Sequence, residues 1–305
     1  MQSTNHVFLI RPANFNYNHE TAESNSFQNK TQTESSEINQ KAIAEFNELI
    51  TKLRLKGVDV NAFDDTLEPV KPDAIFPNNW ISLHADGTVV LYPMCAPNRR
   101  LERRTDIIES LRKKFKVTKV IDLSDDENEN RFLEGTGSIV FDHQNKIAYA
   151  CLSPRTDKEL LIELCSELNY KPVYFHSFDK EGKEIYHTNV MMCVGDKFVV
   201  ICLESISIAD ERKSVVENFN NTHHEIIDIS LNQMNHFAGN MLLLKTESGN
   251  PILAMSQSAF DSLNNDQRKQ IEKYCELFPL SIPTIETIGG GSVRCMIAEI
   301  FLPPL

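Results

Sequence analysis

Residues 190–203 read Val190-Met191-Met192-Cys193-Val194, then Gly195-Asp196-Lys197, then Phe198-Val199-Val200-Ile201-Cys202-Leu203. Two apolar runs around a Gly-Asp turn are the signature of a β-hairpin. The pattern occurs three more times. Ile81–His84 and Thr88–Tyr92 flank Ala85-Asp86-Gly87, Ser138–Phe141 and Lys146–Cys151 flank a turn at 142–145, and Met241–Leu244 and Ile252–Met255 flank one at 247–250. A helix is expected after each hairpin, at about 99–115, 157–168, 210–220 and 257–278. The turn centres, near Asp86, Gln144, Asp196 and Ser248, lie 58, 52 and 52 residues apart. A hairpin-plus-helix unit recurring about every fifty residues implies closed radial symmetry.

The N-terminal segment differs. Val7–Ile10 reads as a strand, and the polar stretch Asn14–Thr33 as a long surface loop or lid whose composition fits disorder equally. A helix follows, with Ile38, Ala42, Phe46, Leu49, Ile50 and Leu53 at three-to-four spacing and a stop at Gly57, then a strand at Val58–Phe63. A strand at Val293–Phe301 beside Val7–Ile10 would complete a fifth unit and close the ring, making 1–305 a single domain. The rival is an unsymmetrical α+β domain with ordinary hairpins. Both the spacing and the order of elements repeat, which favours the ring.

The chain has 305 residues, 41% of them hydrophobic and 24% charged, as expected of a soluble globular protein large enough for a sizeable core. Its net charge of −12 argues against a nucleic-acid partner, which needs a basic surface. No apolar run approaches the length of a membrane span, and Met1–Arg11 does not read as a secretory signal. Seven cysteines without CxxC spacing read as reduced thiols in a cytoplasmic protein, most of them filling the core.

The segments just upstream of the hairpins are unusually polar or glycine-rich. They are Phe76-Pro77-Asn78-Asn79-Trp80, Leu133-Glu134-Gly135-Thr136-Gly137-Ser138, Tyr186-His187-Thr188-Asn189 and Phe237-Ala238-Gly239-Asn240; the fifth is Gly289-Gly290-Gly291-Ser292-Val293-Arg294-Cys295-Met296. In a ring, equivalent segments face one axis, which would bring Asn79, Glu134, His187, Asn240 and Cys295 together. The glycines would set the Cys295 thiol on a turn at the rim of a strand, and a reactive thiolate needs partners of this kind. Singly, each has an ordinary reading: Asn78 and Asn79 cap a turn after Pro77, Glu134 faces solvent, and His187 is one of nine histidines. Trp80 reads as core, and the remaining histidines show no metal-ligand spacing.

The Gly-Gly-Gly-Ser-Val-Arg-Cys-Met stretch resembles the nucleophile motif of the guanidine-modifying (pentein) superfamily, which includes arginine deiminases, dimethylarginine hydrolases and amidinotransferases. Leu133-Glu134-Gly135, His187-Thr188-Asn189 and Phe76-Pro77-Asn78-Asn79 are similar to that superfamily's other site motifs, in the same order, so the resemblance covers essentially the whole chain. It is nearest to the citrulline-utilisation hydrolase or arginine deiminase-related branch. It implies a five-bladed α/β propeller and a hydrolase of non-peptide C–N bonds working through a covalent adduct. Cys295 is then the nucleophile, His187 the acid and base, and Glu134 the group that orients the histidine. It implies no metal or organic cofactor, a small amino-acid substrate, and either a monomer or a homo-oligomer.

Two departures bear on the substrate. Arginine deiminases carry aspartates where this chain has Asn79 and Asn189. Amides suit a neutral ureido group better than a cationic guanidinium, so citrulline is one expectation and an arginine derivative the other. The aspartate that usually follows the glutamate motif is also missing from Thr136-Gly137-Ser138. With Asn78, Asn79, Asn189 and Asn240, the residues Arg294 and Arg11 are candidates for binding the substrate, whose carboxylate suits an arginine. Arg99 and Arg100 read rather as the solvated start of a basic helix. An amidinotransferase with the same Cys, His and Glu, and a non-catalytic binding protein of this architecture, are the alternatives.

Overall fold

A computed structural model describes residues 1–305 and contains five three-stranded sheets in an α+β arrangement. Four units are continuous: an antiparallel hairpin, a helical crossover, and a third strand parallel to the second. Unit II has strands Ile81–Leu83, Thr88–Leu91 and Lys119–Asp122, and unit III has Val140–Asp142, Ile147–Cys151 and Lys171–Phe175. Unit IV has Met192–Val194, Phe198–Ile201 and Glu225–Asp228, and unit V has Leu242–Lys245, Pro251–Ser256 and Glu276–Leu280. Unit I is split. Its first strand, Ala298–Glu299, lies antiparallel to His6–Arg11, which pairs in parallel with Asp59–Asp64 after the helix Ser35–Leu55.

The third strand of units II to V is absent from the sequence reading, which took Glu276–Phe278 as helix. The reason is physical: these are outer strands, and most residues of Lys119–Asp122 and Glu225–Asp228 are exposed or half-buried. They lack the alternation that marks a half-buried strand. The crossover helices also break where turn chemistry intervenes. In unit V, Asn264 caps a second helix, Asn265–Glu272, through a capping box with Gln267.

Alternate residues of one strand serve two different cores. Val7 and Leu9 pack with Leu242, Leu244, Ile252 and Ala254 of unit V, whereas Phe8 and Ile10 pack with Ile81, Leu83, Val89 and Leu91 of unit II. Val90 and Tyr92 meet Phe141, Ala148 and Ala150 of unit III. Val140, Ile147 and Tyr149 join the strands of unit IV, which in turn meet Leu243, Leu253 and Met255 of unit V. Each inner strand is therefore covered on both faces, and this accounts for apolar runs that do not alternate.

Of the five polar segments ahead of the hairpins, Phe237–Asn240 is a non-helical turn. The other four are short helical turns rather than open loops: Pro77–Asn79, Gly135–Ser138, Thr188–Met191 and Val293–Met296. Glu134, His187 and Ser292 occupy the position before the first residue of three of them. The expected strand at Val293–Phe301 is thus a helical turn followed by two strand residues. No helix is long and apolar enough to cross a membrane. Leu9 is fully buried between two units. Leu9→Ala is predicted to lower unfolding free energy by roughly 2–5 kcal/mol, read from urea denaturation, with little change in the folded state's circular dichroism.

Candidate active site

The turns bring two asparagines, Asn189 and Asn240, and the cysteine into contact. Cys295 is 4% exposed. Its Sγ lies 3.3 Å from the Asn240 amide nitrogen and 3.5 Å from that of Asn189, both donors. Asn240 also donates to the Asn189 carbonyl at 2.9 Å and accepts from the Arg294 backbone amide at 3.1 Å, so one side chain ties units IV and V to the cysteine turn. Ser292 donates to the buried carboxylate of Glu286 at 2.6 Å, fixing the same turn from behind.

Beside it stands a carboxylate–imidazole pair. His187 Nε2 and Glu134 Oε2 are 2.8 Å apart, and Glu134 is fully buried. The other carboxylate oxygen accepts the Cys95 backbone amide at 3.0 Å. Burial alone would raise the Glu134 pKa, but Arg155, the His187 hydrogen bond and Arg99 outweigh it and hold the group well below the usual carboxylate range. Burial, aided by the two guanidiniums, depresses His187 to about 4 despite its carboxylate partner. The imidazole is therefore neutral near pH 7, with Nε2–H donated to Glu134 and Nδ1 left as a base. Gly137 makes room for it: a Cβ there would fall 2.8 Å from His187 Nδ1 and 2.3 Å from the Asn79 amide nitrogen.

Cys295 and His187 line one narrow cavity with Asn79, Asp73, Arg99 and Arg155. Asp73 and Arg155 had no place in the sequence reading, although Asp73 lies just ahead of Phe76-Pro77-Asn78-Asn79. Asp73 is 3% exposed; one oxygen accepts from Asn18 at 2.7 Å, and Oδ1 has no partner. Burial raises its pKa against the pull of Arg99. Arg99 is not the solvated helix start expected. It is 3% exposed, forks onto Glu102 with two 2.9 Å bonds, and donates to Asn79 Oδ1 at 2.9 Å. Asn78 is buried nearby with both side-chain polar atoms unpartnered.

Residues 18–29 fold over the cavity, with Asn18 and Thr21 each 1% exposed and Asn25 in its wall. Arg155 donates to the Thr21 carbonyl at 3.0 Å and lies 3.5 Å from Glu134. Asn25 and Gln28 donate to the Gly289 carbonyl, and the Asn29 amide to that of Thr287. Gly290 sits at φ +61°, where a Cβ would strike Asn25 and Gln28 at 2.7 Å. The covered cavity measures about 20 Å³. That is room for about one water, far below the volume of a typical small-molecule site.

Two expected residues lie elsewhere. Arg11 is on the surface, paired with Asp64 at 2.8 Å and with Asn47. Arg294 follows the turn in sequence but points away from the thiol, donating to the Ile297 carbonyl at 3.0 Å and to Glu299 at 3.2 Å. A side chain adjacent in sequence leaves a helical turn in a different direction, so proximity to Cys295 did not imply contact.

A family model described as N,N dimethylarginine dimethylhydrolase, eukaryotic, matches residues 11–302. No curated protein sequence matches. Among solved structures, the N-terminal domain of ArgZ bound to its substrate, an arginine dihydrolase from the ornithine-ammonia cycle in Cyanobacteria, is 15% identical and has a TM-score of 0.76. That alignment covers 98% of this chain and 99% of that one. Apo ArgZ at greater length aligns with 98% of this chain over 41% of its own, at 15% identity and a TM-score of 0.75. A dimethylarginine dimethylaminohydrolase His-to-Gly variant, as an adduct with S-methyl-L-thiocitrulline, is 16% identical over 98% of this chain and 100% of that one, with a TM-score of 0.64. At such identities the likeness is one of fold.

Gly137→Ala should displace the imidazole and the Asn79 amide together, because neither can move without losing its partner. The predicted outcome is a loss of catalytic turnover of at least a hundredfold, measured on protein whose unfolding free energy from urea denaturation falls by no more than about 3 kcal/mol and which stays folded under assay conditions.

Proposed function

The chain belongs to the N,N-dimethylarginine dimethylhydrolase family, hydrolases of non-peptide C–N bonds, and from that premise we propose that it hydrolyses the guanidino group of arginine or an arginine derivative. We read its five units as the blades of one propeller domain spanning 1–305, with the fifth blade shared by the two ends. The shared cores and the Ala298–Glu299 pairing with His6–Arg11 support that reading.

The observation that carries the substrate class is the charge of the buried cluster. Asp73, Glu102 and Glu134 face only Arg99 and Arg155, each of the five at most 3% exposed. Burial, with Asp73 and Glu134 adding to it, pushes Glu102 up to about 7 against the pull of Arg99, as expected where negative charge is in excess. A cationic guanidinium would neutralise that excess, and the unpartnered Asp73 Oδ1 would accept its N–H. The asparagines no longer argue for a neutral ureido group. Asn79 Oδ1 is committed to Arg99, and the Asn189 amide nitrogen faces Cys295. The guanidiniums of Arg155 and Arg99 are the site's cations for the substrate's carboxylate, replacing Arg11 and Arg294 in that role.

In the reaction, His187 Nδ1 takes the Cys295 proton as sulfur bonds to the guanidinium carbon. The proton passes to the departing amine as its C–N bond breaks, leaving a thiouronium on Cys295. Water then attacks that carbon, giving its proton to His187. The C–S bond breaks as the new hydroxyl gives up its proton to the departed amine or solvent, the thiolate recovers the other proton from His187, and a neutral ureido product departs. Glu134 keeps Nδ1 aimed at the reacting atoms and stabilises the imidazolium formed twice in the cycle. Since the covered cavity holds about one water, residues 18–29 must lift for substrate to enter and close again to exclude bulk water.

Ammonia or amine release and ureido product from arginine, N-methylated arginines and citrulline test this reading. Turnover of a guanidino compound is expected, with citrulline inert or much slower, and none in Cys295→Ala. Asp73→Asn should raise KM at least tenfold through the lost charge. Citrulline turnover with no guanidino turnover would overturn the assignment.

A further inference from the structure

At the far end of the strands from Cys295, where the hairpins turn, lies a second cavity of about 480 Å³. It is built by units I, II and III, and its walls include Phe301, Leu168 and Tyr170. Into this mostly apolar wall are set two histidines and a lysine. His84, 5% exposed, places Nε2 2.7 Å from Ser82 Oγ, which is 2.7 Å from the hydroxyl of the fully buried Tyr92. His143 Nδ1 is 2.7 Å from the Tyr170 hydroxyl, and the Lys146 ammonium sits 4.4 Å above the Tyr170 ring and 3.5 Å from its oxygen.

Hydrogen-bond accounting fixes the protons. The Tyr92 hydroxyl has no partner but Ser82, so it donates to Ser82, and leaving that proton unmade would be costly. Ser82 then donates to His84 Nε2, and the proton of the neutral ring is on Nδ1. The Tyr170 hydroxyl accepts from Lys146 through its oxygen and donates its O–H to His143 Nδ1, leaving the ring proton on Nε2. Burial holds both rings neutral: His84 falls to about 4, and His143 well below its usual value, where His84, Lys146 and Arg294 add to the effect. His84 Nδ1 and His143 Nε2 have no partner in the protein. Both are donors, as is Lys146. Asp86, the carboxylate at the rim, pulls the His84 pKa upward against burial, and one of its oxygens accepts the Thr88 amide at 2.9 Å.

We infer that this cavity is a second binding site, for a small aromatic carboxylate. Its ring lies against Phe301, Tyr170 and Leu168, and its anion accepts from His84 Nδ1, His143 Nε2 and Lys146. Three donors that line one cavity and lack acceptors in the protein select an anion, and the apolar wall selects a ring over a bare inorganic ion. This inference is independent of the reaction at Cys295.

Benzoate is the probe, with benzamide as its neutral isostere and acetate as the anion without a ring. Titrated into the full chain, benzoate should shift the ring C–H NMR resonances of His84 and His143 to saturation while His187 stays still. It should bind at least tenfold tighter than benzamide or acetate. Lys146→Gln should weaken it about tenfold, and Phe301→Leu should also weaken it, while both leave His187 unmoved. Shifts confined to His187, equal affinity for benzamide, or no saturable shift would each overturn the inference.

Discussion

The buried hydrogen bond between Glu134 and His187 is the contact on which the rest of the site depends. A carboxylate with no exposed surface is costly to ionise, and here the cost is met from several sides: Arg155, Arg99, the His187 ring and the Cys95 amide. Arg99 and the Cys95 amide come from the unit II crossover, Arg155 from unit III and His187 from the entry to unit IV, so the pair can exist only where units II, III and IV have already packed. In return, the ionised carboxylate sets which imidazole nitrogen is free. A neutral His187 with an unprotonated Nδ1 is what a thiol or a water needs as its base, and depression of its pKa to about 4 keeps it in that form.

Much of this was legible in the chain. Repeated hairpins at near-constant spacing located the units, and the polar segments before them located Cys295, His187, Glu134 and the asparagines that surround the thiol. The outer strands were not legible, because residues at the rim of a sheet need no apolar alternation. Nor were Asp73 and Arg155, which stand outside the short motifs and join the site only through the loops that carry them. Arg294 and Arg11 failed for the opposite reason. Their position in sequence was suggestive, but side-chain direction and a surface ion pair decided where they went.

The covering segment illustrates a limit of composition. Asn14–Thr33 is polar enough to read as disordered, yet residues 18–29 are held by hydrogen bonds to Arg155, Thr287 and the Gly289–Gly290 carbonyls rather than by apolar burial alone. Phe27 adds the one large apolar anchor, its ring 5.2 Å from that of Phe237. Contacts of this sort are individually weak and can be exchanged for water. Arg155 touches both this segment and Glu134, so the position of the segment and the charge state of the Glu134–His187 pair share a single guanidinium.

The central claim is that Cys295 carries a covalent intermediate. Rapid acid quench of the enzyme during turnover of arginine, followed by intact-mass and peptide mass spectrometry, tests it most directly. The account predicts a transient mass increase on the peptide containing Cys295, formed within the first turnover and lost as product appears. Turnover without any adduct, or an adduct on another residue while Cys295→Ala remains active, would contradict it.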